Sequence, residues 1–116
     1  NIDLIVLAGF LWRVPSILLD EYYGKVINIH PALLPKYGGK GMYGMFVHNA
    51  VLMNKEEESG ITIHYANQNY DDGDIIFQAK CQLSRDDNAD DIANKVHSLE
   101  MEYFPAIIKK VLLKDE

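Results

Sequence analysis

In the tetrapeptide Asn28-Ile29-His30-Pro31 an amide and an imidazole stand at alternate positions, the spacing that in an extended strand points both side chains to one face. That pair suits acyl chemistry. A neutral carbonyl becomes a tetrahedral oxyanion, an asparagine N–H can hold the developing charge, and a histidine can donate a hydrogen bond or a proton. A second candidate is Asp71 in Tyr70-Asp71-Asp72-Gly73-Asp74, because a carboxylate beside an imidazole stabilises the imidazolium and lets the two exchange a proton. Each fragment also has a plainer reading. Asn and His at strand ends serve local hydrogen bonds, Asp-Gly pairs favour turns, and neighbouring carboxylates repel one another. From these residues alone, both readings stay open.

Other constellations point less far. Asp71, Asp72 and Asp74 are hard oxygen ligands, but the EF-hand spacing and its distal Glu are missing. His30, His48, His64 and His97 show no short paired spacing, so no zinc site, and no metal, is expected. Pro35 to Gly41 could wrap a ligand, with Lys36 or Lys40 meeting an anion, and reads equally as a connector. Trp12, after Gly9-Phe10-Leu11, fits either an aromatic pocket wall or partly buried core.

The elements that must position these groups follow from hydrophobic pattern. Leu4 to Ala8 reads as a buried parallel strand ended by Gly9, then a helix over about Pro15 to Tyr23 stopped by Gly24, then a short strand over Lys25 to Ile29. This βαβ order places Asn28 and His30 at a strand's carboxyl end, where ligand sites of such sheets lie. Pro31 to Gly44 reads as loop and Met45 to Met53 as helix. Gly60 to Ala66 alternates Ile61, Ile63 and Tyr65 against Thr62 and His64, and with Asp74 to Cys81 forms a strand pair joined by a polar loop. From Asp86-Asp87 the spacing of Ile92, Val96, Leu99, Tyr103, Ile107 and Val111 predicts a long helix to about Leu113, which Pro105 should kink or divide. No repeat, low-complexity tract or linker interrupts residues 1–116, so a single α/β unit is expected.

Composition narrows the partners. The chain carries 11 Lys plus Arg against 17 Asp plus Glu, a net charge of −6, and no basic run beyond Lys109-Lys110, which argues against nucleic acid. The longest apolar stretch, Leu4 to Trp12, is far short of the roughly 20 residues that span a bilayer, so no membrane association is expected. With the single cysteine Cys81 no internal disulfide can form, consistent with a reducing compartment, by default the cytoplasm.

Taken together, Ala8-Gly9-Phe10, Asn28-Ile29-His30-Pro31-Ala32-Leu33-Leu34-Pro35-Lys36-Tyr37, Gly60-Ile61-Thr62-Ile63-His64-Tyr65 and Asp71-Asp72-Gly73-Asp74-Ile75-Ile76 resemble the glycinamide ribonucleotide formyltransferase family, in its order and at close to its spacings, over essentially the whole chain. The resemblance implies a Rossmann-like sheet and transfer of a formyl group from the cosubstrate 10-formyltetrahydrofolate to the amine of glycinamide ribonucleotide in purine synthesis. Asn28, His30 and Asp71 match the family's catalytic trio, His64 a supporting histidine, and Glu100 a glutamate that contacts the glycinamide substrate. The folate's pterin is expected against Leu11, Trp12, Arg13 and Val14 and the loop of Asn67, Gln68, Asn69 and Tyr70, although Trp12 and Arg13 depart from the family's commonest residues.

The family's opening strand, Gly-rich phosphate-binding loop and next strand and helix units have no counterpart here. The expectation is therefore a partial domain, the carboxyl-terminal folate-binding and catalytic portion without the nucleotide-binding half. Its first strand would be left as an apolar edge prone to self-association. The same trio would serve hydrolysis of 10-formyltetrahydrofolate or formylation of another amine such as aminoacylated transfer RNA, the latter fitting poorly with the negative charge. A folate-binding module without turnover is the reading from a different class, and a purely structural role the weakest.

Overall fold

The computed structural model describes residues 4–8, 25–39, 41–66 and 74–114. Strand β1, Ile5–Ala8, pairs in parallel with β2, Val26–His30, as the two apolar runs predict. Antiparallel to β2 runs β3, Glu58–Tyr65, and antiparallel to that β4, Ile75–Gln82, giving the sheet order β1-β2-β3-β4. β1 is an edge strand among the described residues, with Val6 39% exposed. The expected helix over Pro15 to Tyr23 and the loop Asn67 to Gly73 lie outside the described residues.

Strand alternation divides the sheet's faces by chemistry. Ile27 and Ile29 of β2 and Ile61 and Ile63 of β3 join one buried cluster with Val47 and Val51 of helix α1, Met45–Met53, and with Ile92, Val96, Ile107 and Val111 of helix α2, Ala89–Lys114. To the other face go Asn28 and His30, with His64 paired opposite Asn28 and Thr62 opposite His30. Gln78 follows across from Thr62. The core thus builds the platform from one face and leaves the polar side chains together on the other.

Two helix starts show different solutions to orphaned amides. Ahead of α1 stands Gly44 at φ 54 and ψ −134, a conformation that a side chain would strain, with no side-chain cap. At α2 the Asn88 side chain accepts from the Asp91 amide at 2.8 Å while Asp91 accepts from the Asn88 amide at 3.0 Å, a reciprocal cap reinforced by acidic residues in the first turn.

Pro105 does not divide α2, which runs unbroken through it. Buried residues on both sides of the proline, Ile92 and Val96 before it and Ile107 and Val111 after it, enter the same core cluster and hold both halves to one surface. Pro105 itself lies on the exposed side, where water can satisfy the carbonyl that loses its amide partner.

The loop after β2 folds back over β3. Thr62 Oγ1 donates to the Ala32 carbonyl at 2.7 Å and accepts from the Leu34 amide at 3.0 Å and Gln78 Nε2 at 2.9 Å. Gln78 Nε2 also donates to the Leu34 carbonyl at 3.0 Å. Beneath this loop Gly60 lets the chains approach: a Cβ there would collide with the Ala79 carbonyl oxygen and lie 2.7 Å from Leu33 Cδ2.

Three outcomes are expected from this packing. Gly60→Ala should cost about 1–3 kcal/mol by denaturant unfolding, since backbone on β4 must move to admit the methyl. Thr62→Val, nearly isosteric, should cost about 2–3 kcal/mol because it strands buried partners, whereas Thr62→Ser should lose under about 1.5 kcal/mol. The third concerns His48 on α1, buried, with Nδ1 lacking a hydrogen-bond partner among the described residues. Burial first, and the nearby His30 second, hold its pKa below the ordinary value. The unfolded chain therefore takes up this proton before the folded one, so stability present above about pH 6.5 falls as the pH drops through that value. Unfolding free energies measured from about pH 5 to pH 7.5 should show a shallower slope in His48→Gln.

Candidate functional site

At the carboxyl end of β2 the histidine and amide of the sequence motif share the polar face, with β3 alongside supplying a second imidazole. His64 Nδ1 lies 3.1 Å from the Tyr65 carbonyl. A carbonyl only accepts, so Nδ1 carries the proton and Nε2 is an acceptor. Asn28 Nδ2, 3.3 Å from that Nε2, donates to it, which fixes the amide with its nitrogen toward His64. The same nitrogen carries a second N–H, the kind of donor that stabilises an oxyanion.

His30 makes a hydrogen bond to the loop after β2. Its Nε2 is 2.6 Å from the Tyr37 carbonyl, which makes Nε2–H the donor and Nδ1 the nitrogen whose protonation sets the ring's charge. His30 and His64 are 3% and 2% exposed, so these roles are fixed in a largely dry setting where each dipole counts for more than in water. His48 adds a third buried imidazole, close enough that charge on His30 opposes charge on it.

The structure brings Asn28, His30 and His64 together; Glu100 stands on α2, whose Ile92, Val96, Ile107 and Val111 enter the apolar cluster. Glu100 is half-buried, and burial raises its pKa while His97, with Nδ1 3.8 Å from Glu100 Oε2, lowers it. Asp71 of the trio, Leu11 to Val14 and Asn67 to Tyr70 lie outside the described residues. Sequence reasoning did not single out Tyr37 as the partner of His30, nor Thr62, Gln78 and Glu56 as supports of its loop. The polar side of the β3 alternation, Thr62 with His64, was the available signal for one of them. Among the described residues no cluster could hold a metal ion, and no helix is long and apolar enough to cross a membrane.

Comparison with known proteins places this geometry in a family. Residues 1–108 match the sequence profile of formyl transferases. A chloroplastic phosphoribosylglycinamide formyltransferase of Arabidopsis thaliana is 40% identical over 95% of this chain and 39% of its own length. The phosphoribosylglycinamide formyltransferase of Bacillus subtilis is 36% identical over 97% of this chain and 55% of its own. Among solved structures, the phosphoribosylglycinamide formyltransferase of Bacillus halodurans superposes with a TM-score of 0.88 at 33% identity, covering 99% of this chain and 57% of that one. The chain thus spans roughly two fifths to just over half the length of these three relatives. Matched over residues 1–108, this chain belongs to the formyl transferase family.

Proposed function

We propose that this chain carries the reaction centre for moving a formyl group from 10-formyltetrahydrofolate to the amine of glycinamide ribonucleotide in purine biosynthesis. The observation that supports it most is the Asn28–His64 hydrogen bond beside His30 at the end of β2, in a family whose members bear that name. The donor set fits a formyl oxygen: an oriented amide N–H and an imidazole whose other nitrogen is held by a carbonyl.

In this reading the substrate amine attacks the formyl carbon, the new C–N bond forms, and the carbonyl electrons move onto oxygen. Asn28 holds that oxyanion and His30, charged through Nδ1 and steadied by the Tyr37 carbonyl, stabilises it. Asp71 orients or charges His30 and assists removal of the amine proton. Collapse breaks the bond from the formyl carbon to the folate nitrogen, which leaves with a proton. Glu100 contacts the amine substrate, and Leu11, Trp12, Arg13, Val14, Asn67, Gln68, Asn69 and Tyr70 hold the pterin. The partners are these small molecules, the compartment the cytoplasm, and the β1 edge the place for any association between copies.

The test is steady-state formyl transfer by the protein at its native length. His30→Ala should lower kcat at least about a hundredfold, and Asn28→Ala by about a hundred- to a thousandfold, with folate affinity changed little in either. A loss under about fivefold in His30→Ala would sink the assignment. Formate release without dependence on the amine would support hydrolysis instead, and folate binding with neither product would mark a binding module.

A further inference from the structure

The contact that sets the tautomer of His30 comes from a backbone position with unusual geometry. Tyr37 has φ 58, the left-handed region that residues with a side chain seldom adopt. Such a position persists only where its surroundings over-determine it. On one side the surroundings are the bonds of Thr62 and Gln78 to Ala32 and Leu34. On the other is the Glu56 carboxylate, whose Oε2 accepts from the Tyr37 hydroxyl at 3.0 Å and from Lys36 Nζ at 3.4 Å, with the Asn54 side chain also bonded to the phenol. Glu56 is the better sheltered of that ion pair, its side chain 25% exposed against 68% for Lys36. The lysine contact is therefore worth little; the Tyr37 ring packs against the core cluster, and the bond from its phenol to Glu56 fixes the outer end. Burial first and Glu56 second raise the Tyr37 pKa against the opposing bond from Asn54, which keeps the phenol a donor.

Glu56 belongs to the turn after α1, where its amide donates to the Val51 carbonyl at 3.3 Å. A link therefore runs from the end of α1 through the Glu56 carboxylate, the Tyr37 ring and the Tyr37 carbonyl to His30 Nε2. We propose that Glu56 is a positioning residue for His30, acting through Tyr37 to hold the imidazole in its Nε2–H tautomer and in a single orientation. The proposal rests on the reading of His30 as the group that stabilises the tetrahedral intermediate. A glycine would take the left-handed conformation at less cost but would supply neither the ring that packs against the core nor the hydroxyl that meets Glu56.

Four single variants of the native-length protein test this, Glu56→Ala, Glu56→Gln, Tyr37→Phe and His30→Ala, together with the Glu56→Ala/Tyr37→Phe double. Glu56→Ala and Tyr37→Phe should each lower kcat about tenfold or more with both KM values within about twofold, because orientation and not substrate contact is lost. The double variant should be no worse than the poorer single, since both break one link. Glu56→Gln, whose amide oxygen can still accept from the phenol, should recover most of the loss. Long-range proton–nitrogen spectra should report the His30 ring as Nε2–H in the native protein and as a mixture of tautomers in Glu56→Ala and Tyr37→Phe. Tyr37→Phe removes a single oxygen, so the question is answered even if Glu56→Ala does not fold. If His30→Ala abolishes transfer while Glu56→Ala and Tyr37→Phe keep full kcat and a native His30 spectrum, the link is overturned and the role of His30 stands. If His30→Ala itself keeps kcat, it is the functional reading that fails.

Discussion

Thr62 Oγ1 is wholly buried and uses every hydrogen-bonding site a hydroxyl has, one donor and two acceptors, on the Ala32 carbonyl, the Leu34 amide and the Gln78 side chain. The rest of the site depends on that arrangement. The loop after β2 leaves its strand with backbone groups that must find partners away from water, and a buried orphan there costs on the order of 1–3 kcal/mol. By meeting those groups from the neighbouring strand, Thr62 converts a proline- and glycine-rich segment into a fixed support. Tyr37 then reaches back to His30 from a defined place. The register that sets Thr62 opposite His30 also sets His64 opposite Asn28, so a one-residue slip of β3 would turn both polar side chains into the core at once.

Stability and chemistry are thereby assigned to opposite faces of one sheet. The isoleucines of β2 and β3 and the valines and isoleucines of α1 and α2 remove apolar surface from water on one side, and that packing holds the alternate residues still on the other. The polar face gathers His30 and His64, and His48 stands close to His30, all largely out of water. Neutral imidazoles tolerate such crowding and several charged ones do not. The hydrogen bonds fit this: His64 meets a carbonyl through one nitrogen and an amide through the other, while His30 meets the Tyr37 carbonyl through Nε2.

Much of this was legible in the residues. The alternation of Ile61 and Ile63 against Thr62 and His64 gave both the strand and the sidedness of its residues, the βαβ order put Asn28 and His30 at a carboxyl end, and Met45–Met53 formed the helix its spacing predicts. The partner of His30 was not legible, because it is a backbone carbonyl: any residue type supplies one, and only the path of the chain aims it. Nor was the left-handed backbone at Tyr37, since tyrosine carries no preference for it. Pro105 misled in the other direction. The local rule penalises proline within a helix, but the buried residues flanking it bind both halves of α2 to one core, and that tertiary contribution exceeds the lost bond.

A left-handed tyrosine and an ion pair shared with a phenol look, in isolation, like a costly way to shape a loop. Strain of this kind is retained where the surrounding bonds are strong enough to impose it and where the geometry gained cannot be had otherwise. Both conditions hold around Tyr37. An extended conformation would turn its carbonyl away from the imidazole, leaving His30 Nε2–H to seek another acceptor in a buried setting. With the loop pinned from β3 and β4 at Ala32 and Leu34 and from the end of α1 at Glu56, the unfavourable backbone angle is what delivers the acceptor. The rigidity of His30 is thus set by the convergence of three elements on a residue that the sequence places in an irregular loop.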